Sequence, residues 1–180
     1  SGELIHYKNG SKTTIQGLPE ITVLGQGGLM DIELHPNYES NGWIYISYVS
    51  SEGEGRGGNT SLMRFKIKDD KAIEQDILYK ANPNSRRGQH FGSRIAFDKE
   101  GYLYFSIGDR GNRDVNPQNI EKDCGKIYRL HDDGRIPKDN PFVSKRHAKK
   151  AIYSFGHRNP QGMVLNPRTN EIWTHEHGPK

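Results

Sequence analysis

Three stretches of this chain repeat one pattern, in which an apolar strand, a turn and an aromatic strand run into a polar loop. The first passes from Leu29, Ile32 and Leu34 through His35-Pro36 to Trp43-Ile44-Tyr45-Ile46-Ser47. The second passes from Ile95, Ala96 and Phe97 through Gly101 to Tyr102-Leu103-Tyr104-Phe105-Ser106-Ile107. The third passes from Met163, Val164 and Leu165 through Asn166-Pro167 to Glu171-Ile172-Trp173-Thr174-His175. The matching positions Leu34, Phe97 and Leu165 are 63 and 68 residues apart. That period is too long for one coil of a solenoid and suits a four-stranded propeller blade with generous loops.

Alternation of apolar residues and the position of turn residues predict the remaining strands. They fall at residues 61–68, 72–80, 126–130 and 151–155, beside the repeated pairs near 29–49, 93–108 and 162–175. A Gly-rich loop at 53–58 and an Asp69-Asp70 turn separate strands of the first unit. No stretch has the period of an amphipathic helix. Each unit therefore has four strands, and about two and a half units fit the chain. A propeller closes with four blades or more, so the expectation is an all-β partial propeller domain over residues 1–180. Blade boundaries are expected before Ser93 and before Gly162. The rest of the ring is expected beyond Lys180, or alternatively from partner chains.

Composition agrees with a loop-rich β-protein, at 32% hydrophobic and 27% charged residues with 21 glycines. No apolar run approaches the roughly 20 residues of a membrane-spanning helix. The start, Ser1-Gly2-Glu3-Leu4, has no signal-peptide pattern, as a mature chain also would not. The single Cys124 excludes an intrachain disulfide and reads as a small buried filler before the strand at 126–130. The net charge is +4, with Lys145-Arg146-His147-Ala148-Lys149-Lys150 the densest basic run. Without interleaved aromatics or an RNA-binding motif it reads as a solvated loop, and no nucleic-acid partner is expected.

Chemistry-bearing residues gather in the polar loops. Arg87-Gly88-Gln89-His90-Phe91-Gly92 sets a histidine between glycines just before a strand, and an imidazole titrating near pH 6.5 can serve as a general base. Gly108-Asp109-Arg110-Gly111 follows the next strand of the same unit, where Asp109 would fix the imidazole tautomer. Gly156-His157-Arg158-Asn159-Pro160-Gln161-Gly162 is either a turn network holding blades together or a guanidinium and amide suited to a carboxylate- or quinone-bearing ligand. In His175-Glu176-His177-Gly178-Pro179 the two histidines have strand spacing, but no third zinc ligand has suitable spacing. The carbonyls of Gly178 and Pro179 suit a hard cation such as calcium better. Asn112-Arg113-Asp114-Val115-Asn116 begins like a calcium loop, yet Pro117 stands where glycine is needed. Gly25-Gln26-Gly27-Gly28 has no following helix and reads as a tight turn presenting Gln26.

The ordered series of these motifs resembles the soluble glucose/sorbosone dehydrogenase family, most closely its PQQ-dependent aldose sugar dehydrogenases. It includes Gly25-Gln26-Gly27-Gly28-Leu29, His90-Phe91-Gly92, Ile107-Gly108-Asp109-Arg110-Gly111, Gly125-Lys126-Ile127-Tyr128-Arg129-Leu130, Asp133-Gly134-Arg135-Ile136-Pro137, Gly156-His157-Arg158-Asn159-Pro160-Gln161-Gly162 and Glu176-His177-Gly178-Pro179. The resemblance covers essentially all 180 residues. It implies a six-bladed β-propeller, of which this chain is roughly the first half, with pyrroloquinoline quinone (PQQ) and calcium at its top. It further implies oxidation of aldose sugars at C1 to the lactone, an external electron acceptor, and a periplasmic or secreted home.

By position, His90 matches the family's general base, Asp109 the carboxylate orienting it, and Arg158 and Asn159 the quinone contacts. Gln26 matches a pocket-lining residue, and the Gly178 and Pro179 carbonyls match calcium ligands. Gln89 stands where glucose-specific members carry an acid, which favours the aldose branch. The family's first strand and the Lys and Arg residues that hold the cofactor's carboxylates are expected outside this sequence. Two other readings are a non-catalytic binding propeller, as in hedgehog-interacting proteins, and a calcium-dependent sugar lactonase. The lactonase needs an acidic metal cluster that this sequence does not display.

Overall fold

The structure, a computed structural model, describes residues 2–178. Two four-stranded antiparallel meanders and half of a third carry the fold. In the first, β3 (Leu29–Leu34), β4 (Ile44–Ser50), β5 (Asn59–Lys68) and β6 (Lys71–Lys80) lie side by side in chain order. In the second, β7 (Ile95–Phe97), β8 (Leu103–Ile107), β9 (Lys126–Leu130) and β10 (Ile152–Phe155) do the same. The third contributes β11 (Pro160–Asn166) and β12 (Glu171–Glu176). These are two complete blades and the first half of another, as the repeat predicts. The third blade starts at Pro160 rather than at Gly162, because a register shift between those residues lets the strand pair earlier with β12.

The sequence reading did not include the hairpin β1 (Ile5–Lys8) and β2 (Ser11–Thr14). Its turn is Asn9-Gly10, both at positive φ (51° and 81°), the pair that a two-residue hairpin loop favours. Asp69 and Asp70 turn β5 into β6 in the same way, at φ of 50° and 57°. One helical turn, α1 (Tyr38–Asn41), links β3 to β4. No helix among the described residues is long and apolar enough to cross a membrane.

Period-two alternation decides how the blades stack. On β4, Ile44, Ile46 and Tyr48 join Met63, Phe65 and Ile15 in one apolar cluster, while Tyr45 enters the other. That second cluster lies between the two complete blades and gathers Leu62, Ile95, Phe97, Phe105 and Tyr128. Aromatic rings meet within it, Phe105 stacked on Tyr128 at 4.7 Å and Tyr45 edge-on to Phe97 at 5.0 Å. Both faces of β4 are thereby covered, and all seven of its residues are buried.

Polar ties join the blades at equivalent steps. Ser47 Oγ donates to Ser93 O at 2.6 Å, and Ser106 Oγ donates to Pro160 O at 2.9 Å, each reaching from a second strand to the start of the next blade. Strand β7 packs against both β3 and β11, so these three strands are innermost. The Arg94 guanidinium links all three, pairing with Asp31 at 2.8 Å and donating to Gln161 O at 3.0 Å. The loops entering the inner strands and those leaving the second strands therefore meet at one rim.

Candidate functional site

At that rim, a hydrogen-bonded network joins five of the residues singled out in the sequence. His90 sits in the loop entering β7, in a left-handed conformation (φ 54°) that a non-glycine residue adopts at a cost of about 1–2 kcal/mol. Its backbone N–H donates to Gln26 Oε1 at 3.0 Å, and Gln26 N donates to Gly88 O at 2.7 Å. The two loops approach so closely that a Cβ on Gly25 would fall 2.2 Å from Gly88 O. Only glycine fits there, and Gln26 is thereby held against the histidine loop.

Asp109 follows β8 and is fully buried. Its Oδ1 accepts from the His90 ring at Nδ1 (2.7 Å) and from Gly111 N (2.6 Å). The buried Oδ2 takes no donor among the described residues. The carboxylate is an acceptor only, so the proton lies on Nδ1 and the Nε2 lone pair is free. Nε2 makes no hydrogen bond among the described residues, so the ring is presented as a base. The Asp109 backbone is pinned on both sides, N donating to Arg158 O at 2.7 Å and O accepting from Asn116 Nδ2 at 2.9 Å.

The loop entering β11 is held by another carboxylate. Glu176, at the end of β12, accepts the N–H of Arg158 (2.6 Å) and of Asn159 (3.1 Å) on one oxygen. Its other oxygen lies 3.5 Å from His157 Nδ1, and His157 Nε2 meets Ser154 Oγ at 2.9 Å. Buried Asn159 accepts Gly92 N at 3.1 Å through Oδ1, joining this loop to the one that carries His90. A Cβ at Gly162 would fall 2.1 Å from the ring of exposed His175, so any other residue there would displace that ring. The Arg158 side chain donates to His177 O at 2.8 Å and has no carboxylate within 4 Å among the described residues. It is a cation with neutral partners, which fits a ligand bearing carboxylate or quinone oxygens. A depression of about 300 Å³ is lined by Gln26, Leu29, Met30, Phe91, Gly92, Ser93, Arg94 and Gln161, and so reaches the loop that carries His90 through Phe91 and Gly92.

The loop at 156–162 is a turn network between blades, its backbone and Asn159 tied to Glu176, Asp109 and Gly92. The calcium expectation stands differently. Pro179 lies outside the described residues, and the Gly178 carbonyl lies 3.4 Å from the cationic Arg158 Nη1. Calcium takes six to eight oxygens, and one shared carbonyl does not supply such a shell. Cys124 is buried, as expected, with Asn59 Nδ2 3.7 Å from its sulfur.

Sequence reasoning assigned no role to Glu176 or Arg110, although both lie inside quoted motifs. Their partners are 17 to 52 residues away in sequence, beyond the reach of local pattern. A signal for Glu176 was present in the repeat itself, since it ends a second strand just as Asp109 follows one.

An inner-strand loop bearing a carboxylate-oriented histidine at the rim of a partial β-propeller defines a class of site, and comparison with known proteins gives it a family. The whole of residues 1–180 matches Glucose / Sorbosone dehydrogenase, and the chain belongs to that family. It is 38% identical over 183 residues to aldose sugar dehydrogenase YliI of Escherichia coli (strain K12), across 99% of this chain and 49% of that protein. The crystal structure of the soluble aldose sugar dehydrogenase from Escherichia coli in the apo-form superposes with a TM-score of 0.92 at 37% identity, covering 99% of this chain and 52% of that one. The PQQ-bound form of aldose sugar dehydrogenase from Streptomyces coelicolor superposes with a TM-score of 0.80 at 26% identity, covering 99% and 51%. The chain thus spans about half the length of the relatives it matches.

Proposed function

We propose that the protein containing this chain oxidises aldose sugars at C1 to the lactone, with His90 as general base and PQQ as cofactor. The observation carrying this reading is the His90–Asp109 contact of 2.7 Å, which leaves Nε2 without a hydrogen-bond partner among the described residues. When bound, PQQ would supply the two-electron acceptor for the hydride leaving C1. His90 Nε2 takes the proton of the C1 hydroxyl, so that the C1–O bond gains its second bond as the hydride departs. Asp109 holds the ring in the required tautomer and stabilises the imidazolium that forms. Gln26 fixes the histidine backbone, and Asn159 fixes Gly92 behind it.

Arg158 offers cationic donors to cofactor oxygens, and its neutral surroundings support that role. Calcium is part of the proposal only through the Gly178 and Pro179 carbonyls, and no step depends on it here. An external acceptor removes the electrons, and the proposed location is periplasmic or secreted. The test is dye reduction by the full-length protein loaded with PQQ and calcium, across a panel of mono- and disaccharides. Turnover is expected with several aldoses, and His90→Ala should lower kcat by about 10²- to 10⁴-fold with PQQ affinity little changed. A PQQ-loaded protein that reduces no dye with any sugar refutes the reading.

A further inference from the structure

Arg110 follows Asp109 directly, and the two side chains diverge. Asp109 reaches the His90 ring, while Arg110 turns beneath the loop that carries it. The guanidinium is 1% exposed. Nε donates to Gln89 O at 3.1 Å, Nη2 donates to Arg87 O, and Nη1 donates to Gly58 O at 2.9 Å and Asn59 Oδ1 at 3.0 Å. The guanidinium carbon lies 3.6 Å from the centroid of the Phe91 ring, and Arg110 N donates to His90 O at 3.3 Å. Every residue from 87 to 91 except Gly88 is therefore held by Arg110, and Gly88 is held by Gln26 from the other side.

Burying this cation is unfavourable. All its hydrogen-bond partners are neutral oxygens, no carboxylate lies within 4 Å among the described residues, and burial pulls the guanidinium down to about 10. Both His90 and Arg110 have φ of 54°, so the loop does not hold this shape by its own preference. A planar fork with five donors can collect three backbone carbonyls and an amide while stacking on a ring, and an ammonium cannot. A strained loop threaded onto a buried, uncompensated cation is explained by what the loop carries.

We propose that Arg110 is a positioning residue, which ties the His90 loop to Gly58 and Asn59 of the first blade and so presets the His90–Asp109 hydrogen bond. This rests on the reading of His90 as the base, but the hydrogen bond itself can be observed without turnover. In the full-length, PQQ-loaded protein with ¹⁵N-labelled histidine, the proton on His90 Nδ1 gives a downfield resonance in the wild type, assigned by its loss in His90→Ala. Arg110→Lys is expected to remove or broaden that resonance and to lower kcat by roughly 10²-fold, the scale of a 1 Å misplacement, with PQQ affinity and KM changed far less. Retention of both the resonance and kcat, with only a lower Tm, overturns the proposal. Should Arg110→Lys fail to fold, Phe91→Leu, which removes only the stacked ring, should weaken the resonance and kcat together, and an unchanged resonance overturns the proposal equally. A wild-type protein that shows the proton yet oxidises no aldose defeats the catalytic reading and leaves the positioning role standing.

Discussion

Asp109→Asn is the sharpest test of how the histidine is held, because it changes one charge and almost no volume. In one orientation the amide oxygen stays where Oδ1 accepts from His90 Nδ1 and Gly111 N. The tautomer survives, but a charge-assisted hydrogen bond becomes a neutral one, a loss of about 1.5–3 kcal/mol at most. At about 1.36 kcal/mol per tenfold in rate, that is roughly 10- to 150-fold if the imidazolium of the transition state bears the whole loss. The amide nitrogen then occupies the buried Oδ2 position, where no partner is available to its protons among the described residues. In the flipped orientation the NH₂ group opposes Gly111 N–H and donates to His90 Nδ1. The ring proton then moves to Nε2, and the lone pair of the proposed base is lost. The populated mixture should lose about 10² to 10⁴ in kcat, with KM changing much less. Stopped-flow dye reduction by full-length, PQQ-loaded protein reads the rate, and ¹⁵N shifts of His90 read the tautomer. A variant within tenfold of wild-type kcat, with its ring proton still on Nδ1, would refute the argument that Asp109 acts through charge and tautomer.

Two further outcomes follow from groups outside the site. Lys126 is fully buried and donates to the carbonyls of Asn116 (2.7 Å), Pro117 (3.0 Å) and Cys124 (2.7 Å), and burial pulls its pKa down to about 8. Between that value and the ordinary 10.5 the unfolded chain keeps a proton that the folded chain has shed, so stability should rise with pH across this window, by up to about 1.4 kcal/mol per unit from this group. Urea titrations from pH 7.5 to 10.5 should show that slope reduced in Lys126→Met, and parallel curves for the two proteins would count against it. Val164 and Trp173, paired across β11 and β12, are 61% and 59% exposed, and β12 offers an unpaired edge among the described strands. The isolated 180 residues should therefore self-associate in sedimentation experiments and bind PQQ weakly, with Trp173→Glu reducing association. A monodisperse monomer that binds PQQ tightly and stoichiometrically would contradict this.

The two complete blades were legible because their second strands, β4 and β8, are fully buried and belong to the aromatic runs Trp43 to Tyr48 and Tyr102 to Ile107. The hairpin β1–β2 was not, since its strands are exposed or nearly so and mostly polar, which leaves no alternation to read. Asn9-Gly10 was its one signal. In the site, His90 and Asp109 could be paired from sequence because they sit at corresponding ends of consecutive strands of one unit. Ser47 and Ser106 could not be recognised as blade ties, because a serine in a strand looks the same whether its hydroxyl meets water or the next blade. Arg110 was hidden for a related reason: an arginine beside glycine in a polar loop reads as exposed, and only the packing of two blades buries it.

The repeat also explains why the candidate site residues and the carboxylates that hold them alternate around the rim. In the second blade, the loop entering the inner strand carries His90, and the residue leaving the second strand region is the carboxylate Asp109 that holds it. In the third, the entering loop carries Arg158 and Asn159, and the corresponding carboxylate is Glu176. One structural step thus serves twice, first gripping a ring and then gripping two backbone amides. In the first blade β4 ends at Ser50, whose hydroxyl accepts from Glu52 N, and among the described residues no carboxylate accepts from the loop entering β3. That loop is tied to β4 of its own blade at Thr22 and Gly28, but at Gln26 its ties go to the second blade, through the Gln26 to Gly88 and His90 to Gln26 hydrogen bonds. Gln26 is therefore fixed only when the first two blades are docked, whereas His90 and Asp109 belong to one blade. Disturbing the packing between those blades should loosen the pocket wall at Gln26 before it loosens the histidine–aspartate pair, and Arg110, reaching from the second blade to Gly58 and Asn59 of the first, is the side chain that resists both.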